Sequence, residues 1–117
     1  MTEQAGPIEV IVRAADTDIH VPSLCDVEVT AGLRRALLVR VLSEQRAALA
    51  LEDYLDLPIT RHGHQSLLGR ILDLRMNFSV HDATYVALAE QLGAILLTAD
   101  QGLSRAVRSH SRVAMLP

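Results

Sequence analysis

The stretch Ser79-Val80-His81-Asp82-Ala83-Thr84-Tyr85-Val86-Ala87-Leu88-Ala89-Glu90-Gln91-Leu92-Gly93-Ala94-Ile95-Leu96-Leu97-Thr98-Ala99-Asp100 reads as a capped helix, a glycine stop, a strand and an acid. Ser79 stands three residues before Asp82, an N-cap and an N3 acid that together satisfy amide groups no helical carbonyl can reach. Tyr85, Leu88, Ala89 and Leu92 fall on one face of that helix, and Gly93 is placed to end it in the left-handed conformation. Ala94 to Thr98 is a near-continuous apolar run of strand length, the pattern of a strand buried on both faces. Asp100 falls just past its carboxyl end.

Working outward, short aliphatic runs alternate with longer helical patterns, which predicts an α/β layer architecture around a parallel sheet. Ile8 to Ala15 is β-branched at its start, yet its length and the Arg-Ala-Ala that follows favour a helix. Asp16-Thr17-Asp18 reads as a turn and Ile19-His20-Val21 as a short strand. Pro22 ends that strand and leads into a helix running to about Val41, with Val29, Leu33, Leu37 and Val41 as its core stripe. A helix capped by Ser43 spans Ser43 to Tyr54, Leu57-Pro58-Ile59 is a short strand, and Thr60 caps a helix reaching Leu74. A helix from Gly102 to about Ser109 and a strand from Arg112 to Leu116 close the chain.

At 117 residues with 50% hydrophobic side chains, the chain is expected to form one compact soluble domain. No apolar stretch approaches twenty residues, and Met1 to Pro7 lacks a basic cluster, so neither membrane span nor signal peptide is expected and the cytoplasm is the expected location. Cys25 is the lone cysteine, which excludes disulfide stapling and a cysteine metal site. All 11 basic residues are arginine, against 14 acids, a formal charge of −3. General polybasic nucleic-acid binding does not look like this, and with only Tyr54, Phe78 and Tyr85 there is no base-stacking platform. Any contact with nucleic acid must be local or bridged by a metal.

Ligands of open α/β sheets gather outside the carboxyl ends of the parallel strands. Three acids qualify: Asp100 after the Ile95–Leu97 run, Asp82 at the start of the helix leading into it, and Glu28 one or two turns into the helix after Val21. Converging, they suit a hard divalent cation such as Mg²⁺. Taken singly, Asp82 is also a helix N-terminal acid favoured by the macrodipole, and Asp100 a turn acid before Gly102. Glu28 shares its face with Leu24 and Ala31 and therefore needs a partner, either Arg35 or a metal.

The segment Asp82 to Glu90, with Gly93-Ala94 and Leu97-Thr98-Ala99-Asp100, resembles the C-terminal signature of PIN-domain ribonucleases, especially VapC-type toxins of toxin-antitoxin operons. Val21-Pro22-Ser23-Leu24 with Glu28-Val29 and Leu33-Arg34-Arg35 is similar to the segment carrying that family's second acid, and Leu74-Arg75 before Phe78 to the stretch preceding the third. The resemblance implies a three-layer α/β/α domain and a Mg²⁺- or Mn²⁺-dependent endoribonuclease of a VapBC-like system. It further implies a VapB-like antitoxin and a homodimer. Glu28, Asp82 and Asp100 match three of the family's four acids, with Thr98 and Arg75 as further candidates for contact with water or substrate. A buried Thr98 satisfying a backbone carbonyl is the simpler reading of that residue.

The departure lies at the front. Family members open on a strand of pattern apolar-apolar-Asp-x-Ser that supplies the first acid, and no such strand precedes the matching region from Ala14. Asp16 is a poor substitute, because Pro22 follows too soon for the intervening helices. The family strand order is 3-2-1-4-5, so the central first strand is expected to be missing. An open gap would strand backbone groups on both neighbours at about 1 to 3 kcal/mol each. Either the neighbours close up, Ile8 to Val12 enters the gap, or the 117 residues are an N-terminally shortened single PIN-like domain; the last is favoured. The alternative function is a non-catalytic PIN-like module that binds an antitoxin without turnover. DNA as substrate stays open on the carboxylates alone. His62 and His64 have metal-like spacing but no third ligand in sequence, and a solvated loop is expected there. His81 is expected at the surface, Arg35 in a structural ion pair.

Overall fold

A computed structural model describes residues 10–13, 18–98, 100–111 and 113–115 of the chain. Its strands are β1 (Val10–Arg13), β2 (Ile19–Pro22), β3 (Ile59–His62), β4 (Ile95–Thr98) and β5 (Ala114–Met115). Its α-helices are α1 (Leu24–Leu38), α2 (Glu44–Asp56), α3 (Leu68–Asp73), α4 (Val80–Leu92) and α5 (Gln101–His110), with a 3-10 turn at Gln65–Leu67. The sheet order is β3-β2-β1-β4-β5.

The central position is filled. Val10–Arg13 forms a strand rather than the expected helix, and it lies between β2 and β4 in place of the expected gap. It runs antiparallel to both, with Val12 opposite His20 on one side and Leu96 on the other. β2 with β3 and β4 with β5 pair in parallel, so the sheet is mixed about an inverted centre. The physical reason is ladder completion: a four-residue strand, three of whose residues are β-branched, satisfies amides and carbonyls on both neighbours, which a helix there would leave unpaired. Asp16 and Thr17 lie outside the described residues.

Both faces of this sheet are covered. Val12 and Leu96 are direct partners and share one face, Val21 projects to the other because successive strand residues alternate, and all three are fully buried. α4 packs against β1, β2, β4 and α3, while α1 lies on β2 and α2, and α5 on β4 and β5. Every residue from Ala83 to Ala89 is buried, so α4 is apolar on all sides rather than striped.

The other local departures have simple causes. α1 ends at Leu38, with Arg40 at φ 62°, so Val41 is 76% exposed rather than part of the Val29 and Leu33 stripe. Thr60 sits inside β3 instead of capping a helix, and β3 begins at Ile59, after Pro58, because Ile19 and His20 of β2 supply the parallel ladder. Ser43 caps α2 as expected, accepting from the Arg46 amide.

Candidate active site

Asp82 and Asp100 are placed by helix caps. Ser79 Oγ accepts from the Asp82 amide at 3.1 Å, which starts α4, and Gly93 ends it at φ 61°. Asp100 caps α5 by accepting from the Leu103 amide at 3.0 Å, while its own amide donates to Thr98 Oγ1 at 3.0 Å. Two helix N-termini thus present one carboxylate each beyond the carboxyl end of β4, where each helix dipole favours negative charge. Thr98 thereby serves the turn into α5 as an acceptor for the Asp100 amide.

The two acids feel each other. Burial, and then the charge of Asp100, hold the Asp82 carboxyl above the ordinary carboxylate range, against the Ser79 hydroxyl and the charge of His81. Two like charges held together beside a partly buried surface have the chemistry of a cation site. The donors are hard oxygens, and Mg²⁺ is commonly held by one or two carboxylates with water completing its shell. The pair therefore fits a hard divalent cation. His81 is exposed, as expected.

Glu28 meets neither Arg35 nor a second acid. Its Oε1 accepts from the Tyr85 hydroxyl at 2.5 Å, and Tyr85 stands one helical turn after Asp82 on α4. Arg35 is exposed in the last turn of α1, and among the described residues no ion pair joins it to Glu28. Glu28 is thus brought to the helix that carries Asp82. Yet among the described residues no three His, Cys, Asp or Glu side chains gather closely enough to hold a metal. Arg75 is exposed and donates to the Leu72 carbonyl.

A polar chain behind Glu28 escapes sequence reasoning. Asp26 Oδ1 accepts from Tyr54 at 2.6 Å and from Arg61 Nε at 2.7 Å, and the Arg61 guanidinium lies over the Tyr54 ring. The Cys25 thiol lies against both phenols, and burial first, then the bonds to Asp26 and Glu28, push Tyr54 and Tyr85 above the ordinary phenol range. The signal that could have found this chain is that a buried tyrosine on an apolar helix face needs a partner for its hydroxyl. His62 is not in a solvated loop: it lies in β3, partly buried, 2.8 Å from His20 Nδ1. Burial and the neighbouring His20 lower its pKa.

Residues 3–108 match the model of the PIN domain. The chain belongs to the PIN-domain family. Among relatives of this PIN domain, Ribonuclease VapC9 of Mycobacterium tuberculosis is 38% identical over 99 residues, 85% of this chain and 78% of that protein. Ribonuclease VapC3 of the same organism is 40% identical over 94 residues, covering 80% and 69%. Ribonuclease VapC12 is 33% identical over 105 residues, covering 90% and 81%. The strand order matches what the resemblance implies; the direction of the central strand in this PIN domain does not follow from a strand that carries the first acid at its carboxyl end.

Proposed function

We propose that the chain is a single PIN domain acting as a divalent-metal-dependent endoribonuclease of the VapC type, the toxin of a toxin-antitoxin pair. The observation that carries this reading is the pair Asp82 and Asp100, two carboxylates held together by helix caps outside the carboxyl end of β4. Its lineage comes from relatives named ribonucleases. Asp82 and Asp100 would hold Mg²⁺ or Mn²⁺, with Glu28 as the third acid. A bound cation of this kind supplies an activated water and neutralises the charge developing on a phosphodiester. The carboxylates orient that centre, and Thr98 fixes the turn that presents Asp100. RNA as the substrate, rather than DNA, rests on the relatives' names.

The partner readings rest on surface chemistry. Leu72, Met76 and Val80 are 65%, 81% and 66% exposed, which supports a homodimer contact. Val39 and Val41 at the α1–α2 turn are also exposed, which supports seating of a VapB-like antitoxin segment. No helix among the described residues is long and apolar enough to cross a membrane, and the cytoplasm is the proposed location.

A second reading, a non-catalytic module that binds an antitoxin without turnover, is favoured by one observation: the three acids do not close into a three-donor group among the described residues. One experiment separates the two. The chain is incubated with labelled RNA and with DNA of the same sequence, in Mn²⁺ and in chelator. Metal-dependent RNA cleavage abolished by Asp82→Asn is expected; intact RNA in Mn²⁺, with antitoxin peptide still bound, selects the module.

A further inference from the structure

His20 of β2 and His62 of β3 meet across the outer edge of the sheet. In the parallel ladder His20 pairs with Thr60 and Pro22 with His62, so both imidazoles project from one face. His20 Nδ1 and His62 Nε2 stand 2.8 Å apart, the ring centroids 5.1 Å apart, and both residues are partly buried. Two ring nitrogens at that distance are hydrogen-bonded only while one of them keeps a bare lone pair. The contact holds one hydrogen and has no place for a second. When both rings are charged, two N–H groups aim at each other in a partly desolvated place, so the pair must take up its protons in two separate steps.

The pair sits where β3 is joined to the rest of the molecule. β3 is an edge strand, bonded to β2 alone. The His62 carbonyl accepts from the amide of Ser23, the residue before α1, at 2.8 Å, and Arg61 binds Asp26 of α1. Parting the rings therefore pulls on the end of the β2–β3 ladder and on the start of α1 together. The charges on the packed elements are engaged elsewhere. Arg61 alternates to the other face, Glu28 of α1 accepts from Tyr85, Glu90 of α4 is bonded to Arg70, and Arg13 of β1 pairs with Ile19 rather than His20. Asp82 lies with Asp100 and His81, and its raised pKa makes it gain stability, not lose it, as pH falls. Asp18 is exposed two residues before His20, and His64 partly buried two residues after His62. Among the described residues the charge that acts on His62 is that of His20.

We propose that His20 and His62 form an acid-opened clasp, closed near neutrality by one shared hydrogen, which parts when both imidazoles are charged and loosens β3 and the start of α1. Burial first, and then the charge of His20, lower the His62 pKa. The unfolded chain thus binds this proton more readily than the folded one. The stability held by the pair is complete above 6.5 and is lost as pH falls from there to the lower folded value.

The test is amide hydrogen exchange in the full chain at about pH 7.5 and about pH 5, read as protection factors so that the intrinsic effect of pH is removed. Wild type is compared with His62→Gln and His20→Asn, which keep a hydrogen-bonding nitrogen and cannot take a charge, and with Asp18→Asn. In wild type the protection of β3 and of the Ser23 amide is expected to fall about tenfold on acidification, while the amides of α4 hold. The fall is expected to vanish in His62→Gln and in His20→Asn and to persist in Asp18→Asn. An equal fall in wild type and His62→Gln, a fall abolished by Asp18→Asn, or a loss of protection shared by α4 overturns the proposal. A measurement on wild type alone does not depend on how the variants fold: the imidazole signals of His20 and His62 in a nuclear magnetic resonance titration should move in two coupled steps. Two independent single-step titrations overturn the clasp as well.

Discussion

Replacing Asp100 separates its two duties, because one substitution can remove the charge and keep the cap. Asp100 accepts from the Leu103 amide at 3.0 Å and sets its charge against Asp82. Asparagine caps a helix about as well as aspartate, whereas alanine loses the cap at about 1 kcal/mol. Unfolding entropy of about 2.1 cal/mol/K per residue over 117 residues comes to about 0.25 kcal/mol/K, so 1 kcal/mol moves the melting temperature by about 4 °C. In chelator, Asp100→Asn should therefore melt at or above wild type, relieved of the repulsion with Asp82, and Asp100→Ala about 4 °C below Asp100→Asn. Mn²⁺ at ten times its dissociation constant stabilises by about 1.4 kcal/mol, which raises the wild-type melting temperature by about 6 °C. The same Mn²⁺ concentration should leave Asp100→Asn nearly unmoved. The assay is differential scanning calorimetry with and without Mn²⁺. Equal Mn²⁺ shifts in wild type and Asp100→Asn would refute the assignment of Asp100 to a cation site, and a destabilised Asp100→Asn in chelator would refute the repulsion.

Two further outcomes concern the scaffold. Burial pushes the Asp26 carboxyl up, but the bonds from Tyr54 and Arg61 and the charge of Arg61 outweigh it, so its folded pKa lies below 3.8. Its stabilisation is present above 3.8 and is lost as pH falls through that lower folded value. The stability gap between wild type and Asp26→Asn, about 1 kcal/mol or less for a side chain 43% exposed, should hold steady near neutrality and close on acidification. Urea titrations across pH check this, and a gap that widens in acid contradicts it. Leu88→Ala, at a position 1% exposed on the central helix, should cost about 2 to 5 kcal/mol, read as a lower urea midpoint at unchanged slope; a loss under about 1 kcal/mol would mean that α4 is not the core helix.

What the sequence makes legible follows the range of the forces involved. From Ser79 to Asp100 each signal is local: a hydroxyl three residues from an amide, a glycine that alone tolerates φ 61° comfortably, an apolar run bounded by turn residues. Those elements fold as read. Val10–Arg13 is different, because four β-branched or charged residues do not by themselves choose between helix and strand, and the decision comes from β2 and β4 on either side. Thr60 reads wrongly as a cap for the same reason, since its strand exists through pairing with β2. The acids at 82 and 100 stand out in the sequence because they fall at a helix start and just past a strand end. The partner of Glu28 does not, because Tyr85 lies 57 residues away in sequence and reads locally as one more core residue of α4.

The inverted central strand ties fold to chemistry. In a parallel five-stranded sheet of order β3-β2-β1-β4-β5, the residue after the central strand emerges between the ends of β2 and β4, at the same edge as Asp100. Here Arg13 pairs with Ile19 and Ile95, the first residues of β2 and β4, so the chain leaves β1 at the opposite edge. The ladder is preserved by this arrangement, because antiparallel pairing satisfies the neighbours' amides as well as parallel pairing does. The end of the sheet at which β1 finishes is not the same in the two arrangements. Backbone pairing depends only on the presence of a strand, whereas catalysis depends on its direction. In the proposed site the cation falls to Asp82 and Asp100, which two helix caps hold together beyond β4.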